Sequence, residues 1–179
     1  MIRDMTDQFV ADEVVPEVAR IESKEWSVTI GLLKRCAELG LLGVEIPETY
    51  SGEHLDKVSA MIVAEKMARV GSFAVSYGGH SGIGTLPIVY FGSEEQKKKY
   101  LPLFCKAGKI SAYALSEASS GSDALAAKTT ATLSPDGAHW ILNGEKMWIS
   151  NAAFADVFIT FAKVDGAQFS CFIVEKDYP

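Results

Sequence analysis

Cysteine is scarce and scattered: Cys36, Cys105 and Cys171 are the only three in 179 residues, and no two stand as C-x-x-C. That spacing argues against a disulfide framework and a structural zinc site, and His54, His80 and His139 offer no ligand spacing either. Buried thiols in a reducing compartment fit best. The expected location is therefore the cytoplasm, or the mitochondrial matrix for a eukaryotic source. Basic charge is also short, with 17 Lys and Arg against 23 Asp and Glu and a net charge of −6. A nucleic-acid binder normally carries a basic face, so that class drops out. The one basic cluster, Lys97–Lys99, follows Glu94 and Glu95 and reads as a solvated helix face. No stretch reaches the roughly 18 apolar residues of a membrane span. Met1–Arg20 carries Asp4, Asp7 and Asp12 where a secretory signal would be apolar. Three familiar loops are missing too. GIGTLP at 82–87 lacks the third glycine of G-x-G-x-x-G and follows no strand, and neither G-x-S-x-G nor G-x-x-x-x-G-K-[ST] occurs.

What remains is a globular composition, 48% hydrophobic and 22% charged, long enough for one ordinary domain or two small ones. The chain changes period once. Its first hundred residues read as helices. Val28, Leu32, Leu33, Cys36 and Leu39 share one face of a helix closed by Gly40. Asp56 is placed to cap Lys57–Arg69, whose apolar stripe runs through Met61, Val63, Ala64, Met67 and Ala68. Ser93 and Gln96 form a capping box for Glu94–Phe104. Between them the glycine-rich 72–91 stretch predicts a buried helix and a shorter one from Leu86-Pro87. From Ile110 the period is two. Strands are expected over 111–117, 128–133, 138–142, 145–150, 156–164 and 168–175, with turns at SPDG (134–137), Asn143-Gly144 and Asp165-Gly166. The expected fold is α+β: an N-terminal α-helical domain (1–109), then an antiparallel β-barrel or sandwich (110–179). No crossover helix supports a parallel dinucleotide fold.

Two segments carry possible chemistry. In YALSEASSGSD (113–123) a strand runs into small hydroxyl residues around Gly121, where turned-out amides could meet a phosphate or ring carbonyl. On spacing alone, a plain serine-rich exit from a strand is the better reading. In KMWISN (146–151) Trp148 is either strand packing or a flat surface for a ligand.

Together, in this order and spacing, the two segments resemble the acyl-CoA dehydrogenase family, as do IPETYSG (46–52) and FGSEEQKKKYLP (91–102). SSGSDA with LNGEKMWISN is most similar to longer-chain-specific members. The resemblance implies FAD as cofactor and an acyl-CoA thioester as substrate. The reaction implied is α,β-dehydrogenation, with electrons passed to an electron-transfer flavoprotein and a homo-oligomeric (dimeric or tetrameric) parent. Carried over by position, Tyr113, Leu115, Ser116, Gly121, Ser122, Trp148, Ile149 and Ser150 would bind the cofactor. Leu115 and Ser116 would serve the pyrimidine end of the flavin, Trp148 would pack on it, and Ser150 would face its N5. Ser122 would also meet the substrate's pantetheine arm. A flavin taking electrons gains charge at these edges, so donors there tune it. Ser116-Glu117-Ala118 replaces the usual Thr-Glu-Pro, and Trp-Ile-Ser the usual Trp-Ile-Thr; both hydroxyls survive. The family's catalytic base lies in a C-terminal four-helix bundle beyond the stretch matched here, so no residue of this chain, Glu117 included, is expected to be catalytic. The rival readings are an acyl-CoA oxidase, with oxygen as acceptor, and a non-catalytic binding or assembly module. The small residues of SYGGHSGIG (76–84) read either as room for an acyl tail or as close helix packing.

Overall fold

The computed structural model describes all 179 residues. The opening helix α1 (Ile2–Phe9) meets a disruption at Pro16, which has no amide hydrogen to donate back along the helix. The ladder loosens into a π turn (Val10–Val14) and a 3-10 turn (Val15–Glu17) before α2 (Val18–Glu22) resumes. Helix α3 (Trp26–Glu38) buries Leu32, Leu33 and Cys36, the face its spacing predicts. It closes as expected at Gly40, with φ +72°. The Leu41 amide donates to the Cys36 carbonyl at 2.8 Å and the Gly40 amide to that of Ala37 at 3.0 Å, the paired bonds of a left-handed cap.

Asp56 caps α4 (Lys57–Met67) by accepting from the Ser59 amide at 2.8 Å. The apolar stripe of this helix is wider than the face the fold covers. Val63 and Met67 are buried, whereas Met61, Ala64 and Ala68 are exposed. The expected capping box of Ser93 and Gln96 opens α7 (Glu94–Cys105). The glycine-rich stretch between them forms α5 (Gly71–Gly78), a π turn (Gly79–Gly84) and α6 (Leu86–Phe91). No helix is long and apolar enough to cross a membrane.

The π turn carries His80 into the junction between helices and sheet, 1% exposed. Its Nδ1 accepts the Ser111 amide at 3.0 Å, which leaves Nε2–H to donate to the Phe104 carbonyl at 3.1 Å. One neutral imidazole thus ties α7 to the first strand. Burial pushes its pKa down to about 4, against the pull of the Phe104 hydrogen bond and the Asp156 charge.

The strands are β1 (Ser111–Ala114), β2 (Thr130–Leu133), β3 (Trp140–Asn143), β4 (Val157–Val164) and β5 (Gln168–Glu175). The α+β order is as expected, but the antiparallel barrel or sandwich becomes a single mixed sheet. Antiparallel pairing holds for β2–β3 and β4–β5, while β1 and β2 both run parallel to β4. The reason lies in the connections. SPDG turns β2 into β3, and left-handed Asp165 and Gly166 turn β4 into β5. The long 115–129 and 144–156 stretches make no hairpin and let β4 return beside β1. Asn143-Gly144 is therefore not the predicted hairpin. A Cβ on Gly144 would lie 2.5–2.8 Å from Thr129 atoms, so glycine serves close approach there rather than a tight turn. Nor do residues 145–150 form a strand.

Candidate functional site

Residues 147–151 lie as a strap along the outer edge of β1, held at its two ends. At one end the Met147 amide donates to the Ser116 carbonyl at 2.8 Å. At the other, Asn151 Nδ2 donates to the Ser111 carbonyl at 3.3 Å. The strap therefore runs opposite to β1. Between the two ties, the amides of Trp148, Ile149 and Ser150 have no acceptor in the chain, nor do those of Leu115 and Ser116 facing them in sequence order. Trp148 and Asn151 take left-handed backbone, φ +61° and +69°. Neither is glycine, and a residue such as Trp148 holds that conformation only where its surroundings impose it. The Trp148 side chain is 86% exposed, which removes the reading of it as strand packing.

The first tie is reinforced by a buried ion pair. Glu117 is 7% exposed. Its carboxylate accepts the Lys128 amide (2.6 Å), the Thr129 amide (3.0 Å), the Thr129 hydroxyl (2.5 Å) and Lys146 Nζ (2.8 Å). Lys146 Nζ also donates to the Leu115 carbonyl at 3.1 Å. Burial alone pushes the Glu117 carboxyl up; the Lys128 amide, the Lys146 ammonium and the two Thr129 donors more than reverse this, to about 2. A carboxylate so held is a poor base and a good clamp: it joins the loop after β1 to the residues that begin the strap.

The predicted site residues divide by place. Leu115 and Ser116 lie beside the strap, half-buried, and Ile149 and Ser150 within it are half-buried too. Gly121 and Ser122 are exposed on the following loop, with open space where a Gly121 Cβ would stand. The Ser116, Ser122 and Ser150 hydroxyls have no partner in the chain. Ser120 differs, since its hydroxyl donates to the Asp123 carbonyl at 2.7 Å and shapes the loop. The Tyr113 ring packs on Phe161 at 5.1 Å, turned toward the sheet core. Sequence reasoning missed Lys146, Thr129 and Asn151, whose partners lie 12 to 75 residues away.

The glycines of 76–84 divide between close packing and open space. A Cβ on Gly84 would meet the Gly79 carbonyl and Ser111 Oγ at 2.5 Å, so this position is close packing. Gly78 and Gly82 meet nothing within 4 Å and open on an apolar cavity of about 270 Å³, with Leu41, Val44, Met67 and Tyr77 in its wall.

Known proteins share this fold. Residues 1–108 match the family model for the acyl-CoA dehydrogenase N-terminal domain, and residues 112–179 that for the middle domain. A probable acyl-CoA dehydrogenase of Bacillus subtilis is 56% identical over all of this chain and 30% of its own length. The crystal structure of an acyl-CoA dehydrogenase complexed with FAD from Bacillus anthracis superposes with TM-score 0.97 and 58% identity, over 99% of this chain and 30% of that one. A chain from the structure of the electron transferring flavoprotein of Acidaminococcus fermentans gives TM-score 0.90 at 34% identity, over 100% of this chain and 48% of that one. The chain thus spans between 30% and 48% of the length of these relatives.

Proposed function

The chain belongs to the acyl-CoA dehydrogenase family, and from that premise we propose that its parent protein is an FAD-dependent enzyme dehydrogenating an acyl-CoA thioester between its α and β carbons. The observation that carries this reading is the strap itself. Unpaired amides stand within it and at Leu115 and Ser116 beside it, free hydroxyls stand at Ser116 and Ser150, and an exposed Trp148 takes left-handed backbone. Such an edge fits a planar ring bearing carbonyls and ring nitrogens. When bound, FAD supplies the two-electron acceptor that no side chain provides.

The residues of this chain bind and orient. Leu115 and Ser116 offer donors to one edge of the ring, Ile149 and Ser150 to another, and Trp148 a face. Gly121 and Ser122 leave the loop low and polar, suited to the pyrophosphate and to the pantetheine arm of the substrate, and Tyr113 supports β1 from beneath. Glu117 moves no proton. The cavity beside Gly78 and Gly82 suits part of an acyl chain. An electron-transfer flavoprotein is the proposed acceptor and a homo-oligomer the proposed assembly, with the boundary between the two folding units at residues 109–110.

The test is reconstitution of the parent protein with FAD, followed by acyl-CoA-dependent bleaching of a dye. Protein that takes up no FAD, or bleaches no dye with any chain length, refutes the reading. Rapid reoxidation in air would assign oxygen as the acceptor instead.

A further inference from the structure

The strap's second tie is a single side chain. Asn151 is 7% exposed, and its Nδ2 donates to two backbone carbonyls, Ser76 on α5 (2.9 Å) and Ser111 on β1 (3.3 Å). Two acceptors on that atom fix which end of the carboxamide is nitrogen. Its own carbonyl accepts the Phe154 and Ala155 amides at 2.9 and 2.8 Å, so the same residue closes the turn beyond the strap. Gly79 stands against it: a Cβ there would lie 3.1 Å from Nδ2.

The other end of the carboxamide, Oδ1, is buried without a protein partner. Two more buried oxygens share that condition, Thr29 Oγ1 and Ser72 Oγ. All three residues line one cleft of about 590 Å³ between α3, α5 and the 149–154 turn. Thr29 is 1% exposed. Buried polar atoms are rarely left unpaired, and each of the three costs stability where it stands.

We propose that Asn151 is a positioning residue. Its amide nitrogen pins the strap to α5 and β1, so that Trp148 and Ser150 keep their aim at the flavin. The inference rests on the functional reading above. Without the Asn151 side chain the strap loses its hydrogen bonds to α5 and β1, and between the ties only the Ile149 carbonyl is bonded, accepting the Ala152 amide at 3.2 Å.

The experiment compares Asn151→Ala, Gly79→Ala and Thr29→Val in the flavin-loaded parent, by FAD titration, visible flavin spectrum and thermal melting. Loss of one tie predicts roughly tenfold weaker FAD and a shifted flavin band in Asn151→Ala. Gly79→Ala, which presses a methyl on Nδ2, should shift the band in the same direction. Thr29→Val, which leaves both bonds of the Asn151 amide nitrogen in place, should leave the flavin band unmoved. An Asn151→Ala protein that melts lower with an unmoved flavin overturns the proposal. If Asn151→Ala fails to fold, an unmoved flavin in Gly79→Ala overturns it. Ser150→Ala and Trp148→Phe are the controls. If they move the flavin and the Asn151 set does not, only this inference falls; if they too leave it unmoved, the functional reading falls.

Discussion

Replacing Lys146 by Met tests whether the Glu117 clamp holds the two signature segments together. The variant keeps the length of the side chain and removes its charge. Glu117 would keep three donors, the Lys128 amide and the two groups of Thr129, but lose the cation at 2.8 Å, and the Leu115 carbonyl would lose its Nζ partner. Removing one member of a buried pair costs about 3–5 kcal/mol, because the other charge remains buried. The fall of the Glu117 pKa from an ordinary 4.5 to about 2 is the net of burial and all its donors, and it shows that the carboxylate is held ionised rather than what Lys146 alone contributes. The expected loss is therefore about 3 kcal/mol at pH 7, the lower end of that range, measured by urea unfolding. A lowered folded pKa contributes stability that is complete above about pH 4.5 and lost as pH falls toward about 2. The gap between wild type and Lys146→Met should close over that window. In a double-mutant cycle, adding Glu117→Gln should recover part of the loss, since a neutral amide needs no cation. A Lys146→Met protein within 0.5 kcal/mol of wild type, on the order of an ordinary surface change, or a loss that persists unchanged at pH 2–3, refutes the clamp.

His80 predicts a second pH effect with its own window. Its pKa is depressed from 6.5 to about 4, so stability is full above pH 6.5 and declines as pH falls toward 4, where the unfolded chain takes up a proton that the folded one refuses. His80→Gln should remove that slope from a series of thermal melts, and an unchanged slope would show that other groups cause it. Trp148→Phe should alter flavin fluorescence and reoxidation while leaving stability within about 0.5 kcal/mol, because the indole packs on nothing in this chain. A large drop in melting temperature would return Trp148 to a packing role. Ser116→Ala and Ser150→Ala should each weaken FAD or shift its potential by the equivalent of roughly 1.5–3 kcal/mol, the worth of a hydrogen bond to a charged group. Potentiometry matching wild type would remove both from the site.

The helical half was legible because helix formation is local. The period of α3, the Asp56 cap and the Ser93–Gln96 box each depend on residues within one or two turns of one another. Asp165-Gly166 was readable for the same reason, since its two left-handed residues join strands paired along their whole length. Strand direction was not. Asn143-Gly144 has hairpin chemistry, but the contact that decides its conformation is Thr129, the residue just before β2. The order of motifs, by resemblance, pointed to the residues proposed for the site. It did not tell how they are aimed. That depends on Glu117 meeting Lys146 across 29 residues, and on Asn151 meeting Ser76 across 75. Such pairings leave no period or spacing in the chain. A hydrogen bond is specified by where two backbones arrive, and these two arrive together only after α5, β1 and the strap have packed.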